Sequence, residues 1–263
     1  MSLPNFVILG AAKAGTTSLY FYLMQHPAIR MSLLKETNYL ALKDEPLDFR
    51  GPGDAETINS FSLKTEADYR ATFAHCPPGC IIGEATPLYL YSPRAPGEIK
   101  NMVPDAKLIA ILRNPVDRAY SAFLHLVRDH RETTRDFLEA LRLEPTRIAD
   151  HWEHIWHYVA MGRYAEQLAR YYELFPREQI KVYIYRDFRL DPSGIMADLF
   201  RFLNVDDSIE IDQSLRYNVA PEREERPPFT SEARQWIRDA TRDDTARLEI
   251  MLNRDLSHWY KPV

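Results

Sequence analysis

Four short runs of apolar, largely β-branched residues punctuate the chain: NFVIL (5–9), CIIGEA (80–85), KLIAIL (107–112) and IKVYIY (180–185). None alternates polar with apolar positions as a half-exposed strand does. Continuous apolar runs of this length suit strands covered on both faces, as in a parallel sheet. Helical stretches lie between or after them, predicted at 16–26, 115–129 and 192–203, and within a longer region with loops from about 134 to 175. A strand or turn is expected near 29–34. Strands that alternate with helices predict an α/β fold, a mostly parallel central sheet flanked by helices. A last helix is predicted at about 230–253, where Trp236, Ile237, Ala240, Leu248, Met251 and Leu252 can form buried stripes. Residues 43–57 and the charged, proline-rich 218–229 read as loops. With no internal repeat, low-complexity tract or composition break, one domain spanning 1–263 is expected.

The first strand enters GAAKAG, and a helix starts at Thr16 or Thr17. Backbone N–H groups at a helix start lack intrahelical partners and carry partial positive charge, which makes an anion site. Gly15 lets the backbone come close to a phosphate, and Thr16, Thr17 and Ser18 can add hydroxyl donors. A nucleotide triphosphatase loop places its lysine directly after the second glycine. Here Thr16 follows Gly15, and the lysine sits inside the loop, at Lys13. A plain strand–turn–helix corner would need the glycine but not a lysine followed by three hydroxyls.

A second motif is KLIAILRNPVDRAYSAFLH (107–125). A buried strand ends in Arg113, and Pro115 starts a helix, a favoured place for proline. Ser121 lies about two turns into that helix, as helical pitch requires. Arg113 can grip a phosphate through two parallel hydrogen bonds, with Ser121 adding a third. The bland alternative is an ion pair of Arg113 with Asp117. Open α/β sheets bind ligands at the carboxyl ends of their strands, where both motifs are expected. Together they suggest a nucleotide with phosphates at two separate positions.

Composition narrows the partners. The formal net charge is -5, which argues against a general nucleic-acid binder. The start MSLPNFVILG lacks the pattern of a secretory signal, and no apolar run approaches membrane-spanning length. A cytoplasmic protein without a membrane span is therefore expected. The two cysteines, Cys76 and Cys80, flank a Pro-Pro-Gly turn; reduced thiols are the cytosolic norm, and no second pair exists to complete a zinc site. In HWEHIWH (151–157), His151, His154 and His157 lack an evident further ligand, so packing or an aromatic wall facing a substrate is expected instead.

GAAKAGTTSLYFYL resembles the 5′-phosphosulfate loop of sulfotransferases that use 3′-phosphoadenylyl sulfate (PAPS), and LRNPVDRAYSAFLH resembles their 3′-phosphate motif. KETNYL (35–40), GEATPLYL (83–90), GRYAEQLARYYELFP (162–176) and RDLSHWY (254–260) fall in the family's usual order, so the resemblance covers most of the chain. It is strongest to the branch with heparan sulfate sulfotransferases and bacterial sulfotransferase domains. The resemblance implies an enzyme that moves a sulfuryl group from PAPS to a hydroxyl, less readily an amine, and releases 3′,5′-adenosine bisphosphate (PAP). It implies that Lys13, Ala14, Gly15, Thr16, Thr17, Ser18, Arg113 and Ser121 hold the cosubstrate, with Arg223 as a further phosphate contact from the charged loop. Lys13 can then reach the oxygen bridging phosphate and sulfate, where charge grows as the bond breaks. The transferred group carries less charge than a phosphoryl group, and no Mg²⁺-holding acid follows the lysine, so no metal is expected. In the resembling branch the glutamate of the KE motif is the catalytic base, which falls on Glu36. Where that branch often has His or another polar residue two positions later, this chain has Asn38. His125, four residues after Ser121, is a second candidate for catalysis. The acceptor stays open among sugars, lipids, small metabolites and carrier-bound chains. The alternatives are a P-loop kinase or NTPase with an altered loop, and a nucleotide-binding module that no longer reacts.

Overall fold

The computed structural model describes residues 3–214 and 226–260. These form two compact units. The first contains the described residues up to 45, 62–112 and 170–214; the second contains 46–61, 113–169 and 226–260.

The first unit is built on a five-stranded, all-parallel sheet. Its strands are β1 (Phe6–Gly10), β2 (Ile29–Met31), β3 (Ile81–Ala85), β4 (Lys107–Leu112) and β5 (Ile180–Ile184), in the spatial order β2-β3-β1-β4-β5. The four apolar runs thus become four of the strands, and β2 falls at the strand or turn expected near 29–34. Every residue of β1 is buried, as is all of β4 after Lys107, which fits strands covered on both faces. At the centre, Phe6 pairs with Gly83 on one side and Lys107 on the other. A Cβ on Gly83 would lie 2.1 Å from the Phe6 ring and 2.6 Å from the Met31 sulfur, so β3 gives up a side chain where its neighbours' large ones meet.

From β1 the chain turns towards β2, and from β4 towards β5. Neighbouring strands whose connections leave in opposite directions open a crevice at their carboxyl ends, the place where such sheets take ligands. Here that crevice lies between β1 and β4, and a hydrogen bond from Ala11 N–H to the Ile111 carbonyl (2.8 Å) ties its two sides.

The second unit is helical. Helices Pro115–Arg128, Phe137–Ala149 and Ser231–Leu252 enclose a core that includes Phe123, Leu126, Phe137, Trp156, Tyr158 and Ile237. Asn114, Asp136 and Thr230 cap these helices through their side chains. Arg147 grips the buried Glu132 carboxylate with two nitrogens (2.6 and 3.0 Å) and lies over the rings of Trp152 and Trp156. In the last helix Ile237 and Leu248 are buried as expected, but Trp236 is 43% exposed and pairs with the Arg142 guanidinium instead. The histidine run departs from a helix. His151 takes a left-handed backbone, stacks on Phe49, and is followed by a short 3-10 turn, His154–Trp156. Trp156 is fully buried and packs into the core of this unit, while Trp152 and Ile155 are partly buried against it. Among the described residues, no three or more His, Cys, Asp or Glu side chains gather in a way that could hold a metal, and no helix is long and apolar enough to cross a membrane.

Two outcomes are expected. Gly83→Ala overpacks the β1–β3 junction and lowers stability by roughly 1–3 kcal/mol, read as a fall of several degrees in thermal unfolding. Burial pushes the His157 imidazole down to about 3 from its ordinary 6.5, with a smaller contribution from His154. The unfolded chain therefore binds more protons between those values, so His157 lowers stability as the pH falls from 6.5 towards 3. His157→Gln is expected to flatten that acid limb in unfolding curves, whatever it does to stability at neutral pH.

Candidate active site

The loop after β1 carries the first set of site residues. Lys13 has φ 65° and Gly15 φ 98°, both in the left-handed region. Gly15 caps the helix Thr16–Met24, and a Cβ there would lie 2.9 Å from the Tyr185 ring, which stands just past the end of β5. Positive φ and this contact together require glycine. Gly15, at the cap position, offers no side chain to the helix start, and the first turn holds no acid. N–H groups at such a start carry partial positive charge that suits an anion. Ala14 and Thr16 are buried, and Thr17 and Ser18 are partly exposed beside them.

Glu36 stands one strand over. Its N–H donates to the Ala85 carbonyl (2.9 Å) at the end of β3, and Ala85 pairs with Ile8 of β1. Lys13 thus follows the carboxyl end of β1, while Glu36, which follows β2 in the chain, is hydrogen-bonded to the carboxyl end of β3, the strand beside β1. The Glu36 side chain is about half exposed, and the Lys35 ammonium donates to its Oε1. Like Lys13, Glu36 has φ 65°, and Asn38 follows at φ 55°. Non-glycine residues held in this region cost about 1–3 kcal/mol each and persist where surrounding contacts impose them.

Those contacts centre on Glu84 of β3, which is fully buried. Its Oε1 accepts hydrogen bonds from Thr37 (2.5 Å), Tyr89 (2.7 Å) and Thr86 (2.9 Å), and its Oε2 from Tyr69 (2.7 Å). Burial pushes the Glu84 carboxyl up, and these four hydroxyls pull it back. Tyr89 and Tyr69 are both held well above the usual phenol range by burial, then by the neighbouring carboxylate, so they stay hydroxyl donors. In the sequence, GEATPLYL stands among the ordered motifs, but nothing there assigns a role to Glu84, Thr37 or Tyr89. A glutamate inside an otherwise apolar, doubly covered strand is the signal that could have found them.

Three further candidates lie in the second unit. Arg113 is the residue after β4, and its carbonyl accepts from the Tyr164 hydroxyl (2.8 Å). Burial pushes that phenol up to about 12, so it remains a donor. Ser121 is partly buried on the helix Pro115–Arg128. One turn further, His125 Nδ1 lies 2.6 Å from an Arg128 nitrogen and 3.4 Å from an Asp129 oxygen. Arg223 lies outside the described residues.

The sequence pattern of the sulfotransferase family matches residues 4–208, and the chain belongs to that family. A sulfotransferase of known structure from Alicyclobacillus acidocaldarius is 39% identical, with a TM-score of 0.90 over 99% of this chain and 100% of that one. The human bifunctional heparan sulfate N-deacetylase/N-sulfotransferase 3 is 25% identical over 96% of this chain, which spans 30% of that protein's length. The membrane-associated sulfotransferase kil1 of Dictyostelium discoideum is 23% identical over 97% of this chain and 66% of its own. The chain has that family's α/β fold.

Gly15→Ala tests the loop directly. It must displace Tyr185 and force a side chain into a left-handed backbone. PAP affinity measured by calorimetry is expected to fall tenfold or more, since about 1.4 kcal/mol suffices for that.

Proposed function

We propose that this protein moves a sulfuryl group from PAPS to an acceptor hydroxyl by in-line transfer, releasing PAP, and that residues 1–263 act as one sulfotransferase-like domain. The observation that carries this reading is the pairing of an uncapped, acid-free helix start behind Lys13 with Glu36 at the neighbouring strand end. The helix start and Ala14, Gly15, Thr16, Thr17 and Ser18 receive the 5′-phosphosulfate. Lys13 donates to the bridging oxygen as charge builds there, a contact stronger in the transition state than in the ground state. Glu36 takes the acceptor proton. Arg113 and Ser121 hold the 3′-phosphate, with Arg223 as a further phosphate contact. His125, oriented by Asp129 and Arg128, assists the proton transfer. In-line sulfuryl transfer needs positioning and charge stabilisation, which these groups supply without a metal.

The acceptor belongs to the small-molecule, carbohydrate, lipid or carrier-bound classes. The relative named for N-sulfation of heparan sulfate makes an amino sugar the amine to test beside hydroxyl acceptors. The cytoplasmic setting is part of the proposal; Cys76 and Cys80, both free thiols, suit a reducing compartment.

Calorimetry with PAP, 5′-AMP and ATP with Mg²⁺ separates the readings. PAP is expected to bind best and to lose affinity in Arg113→Ala. ATP with Mg²⁺ binding as well or better would return the protein to the kinase class. With labelled PAPS and a panel of hydroxyl and amino acceptors, Lys13→Ala is expected to slow transfer roughly 10²–10³-fold. Glu36→Gln is expected to slow it roughly 10²–10⁴-fold. Both should retain PAP binding in some measure; a Glu36→Gln variant with full transfer rate would remove Glu36 from the mechanism.

A further inference from the structure

Glu84 poses an energetic question that sulfuryl transfer does not answer. It is a fully buried carboxylate, and among the described residues its bonded partners are four hydroxyls rather than a cation. Burying a carboxylate is costly, and replacing both partners of a buried hydrogen bond with apolar groups of the same shape can be nearly neutral or stabilising. Stability alone therefore gives little reason for a glutamate in the middle of this strand.

Its partners suggest one. Thr37, the residue after Glu36, donates to Glu84 Oε1 and lies 3.0 Å from the Tyr89 hydroxyl. The Tyr89 hydroxyl also accepts the Leu40 N–H (3.2 Å), and the Thr37 hydroxyl accepts the Tyr39 N–H (3.4 Å). On the backbone, Glu36 N–H bonds the Ala85 carbonyl and the Thr37 carbonyl accepts from Leu63 (3.0 Å). Residues 36–40 are thereby tied to one carboxylate and its strand, across the two left-handed positions, Glu36 and Asn38.

We propose that Glu84 is the positioning residue for Glu36: through Thr37 and Tyr89, its buried carboxylate holds residues 36–40 in the left-handed turn that presents the base to the acceptor. This rests on the reading of Glu36 as the base. Glu84 itself touches neither substrate nor reacting atoms. An acceptor-only group is required, because four hydroxyls converge on it as donors. Displacing a catalytic group by about 1 Å can cost about 10²-fold in rate.

The test uses the whole chain and PAPS alone, with water as acceptor and sulfate release as the rate. Hydrogen exchange of the Tyr39 and Leu40 amides in the PAP complex is measured alongside. Glu84→Gln and Thr37→Val are expected to reduce sulfate release at saturating PAPS by about 10²-fold and to speed exchange at residues 39 and 40. The KM for PAPS and the affinity for PAP should stay unchanged. Thr37→Ser, which keeps the hydroxyl, should restore both rate and protection. In a Glu36→Gln background the same substitutions should add little further loss, because they act through Glu36. Fully additive losses there would mark a merely structural role and overturn the proposal. So would wild-type turnover and protection in Thr37→Val and Glu84→Gln. If Glu84→Gln does not fold, the Thr37 pair decides. If Glu36→Gln alone keeps full turnover, the base reading fails, while the exchange data still report whether Glu84 holds the turn.

Discussion

The ladder that pairs β1 with β3 on one side and β4 on the other is the constraint on which the rest depends. Parallel strands all end at the same edge of the sheet. Segments held at the carboxyl ends of adjacent parallel strands therefore lie along one edge, however far apart they are in sequence. Lys13 follows β1, and Glu36 is fastened to the end of β3 through Ala85, directly across from Ile8. Shifting that register would carry Glu36 away from the loop. Gly83 protects the register by leaving space for Phe6 and Met31.

Given this frame, the first unit places its polar groups in two layers. The outer layer is incomplete in itself: a helix start with no side-chain cap and no acid, and a half-exposed carboxylate contacted by Lys35. Such groups gain most from an anionic ligand with a nucleophile beside it. The inner layer is saturated: the Glu84 carboxylate receives four hydroxyl donors, and two of those hydroxyls, on Thr37 and Tyr89, serve backbone amides in turn. A satisfied polar network rigidifies what rests on it. The outer layer thus stands on a layer with no reason to rearrange.

Much of this is legible in residue order. Strands covered on both faces read as unbroken apolar runs, so β1, β3, β4 and β5 stand out, and Pro115 marks a helix start. The lysine inside GAAKAG, followed by three hydroxyls at a helix start, reads as an anion site. Other features are hidden for physical reasons. The short helices Tyr39–Leu42 and Leu88–Tyr91 have too few turns to show a period. Trp236 reads as core because apolar spacing cannot say which of two stripes on a long helix meets a neighbour. The histidines at 151, 154 and 157 are spaced for a helix that the left-handed backbone at His151 interrupts. The Glu84 network draws residues from 37, 69, 84, 86 and 89, and only folding reveals that their hydroxyls converge.

The left-handed backbone at Lys13 and Glu36 also bears on how this site can change over evolutionary time. A β-branched or bulky replacement at either position meets a backbone it does not readily adopt, whatever its chemistry. Asparagine, aspartate and glycine are the residues that tolerate such angles. Drift at position 36 is thereby channelled towards a shorter acid, its amide or no side chain at all. A lineage shedding activity would pass through those residues first, while new acceptor preferences would arise from neighbouring positions whose backbone angles leave a wider choice.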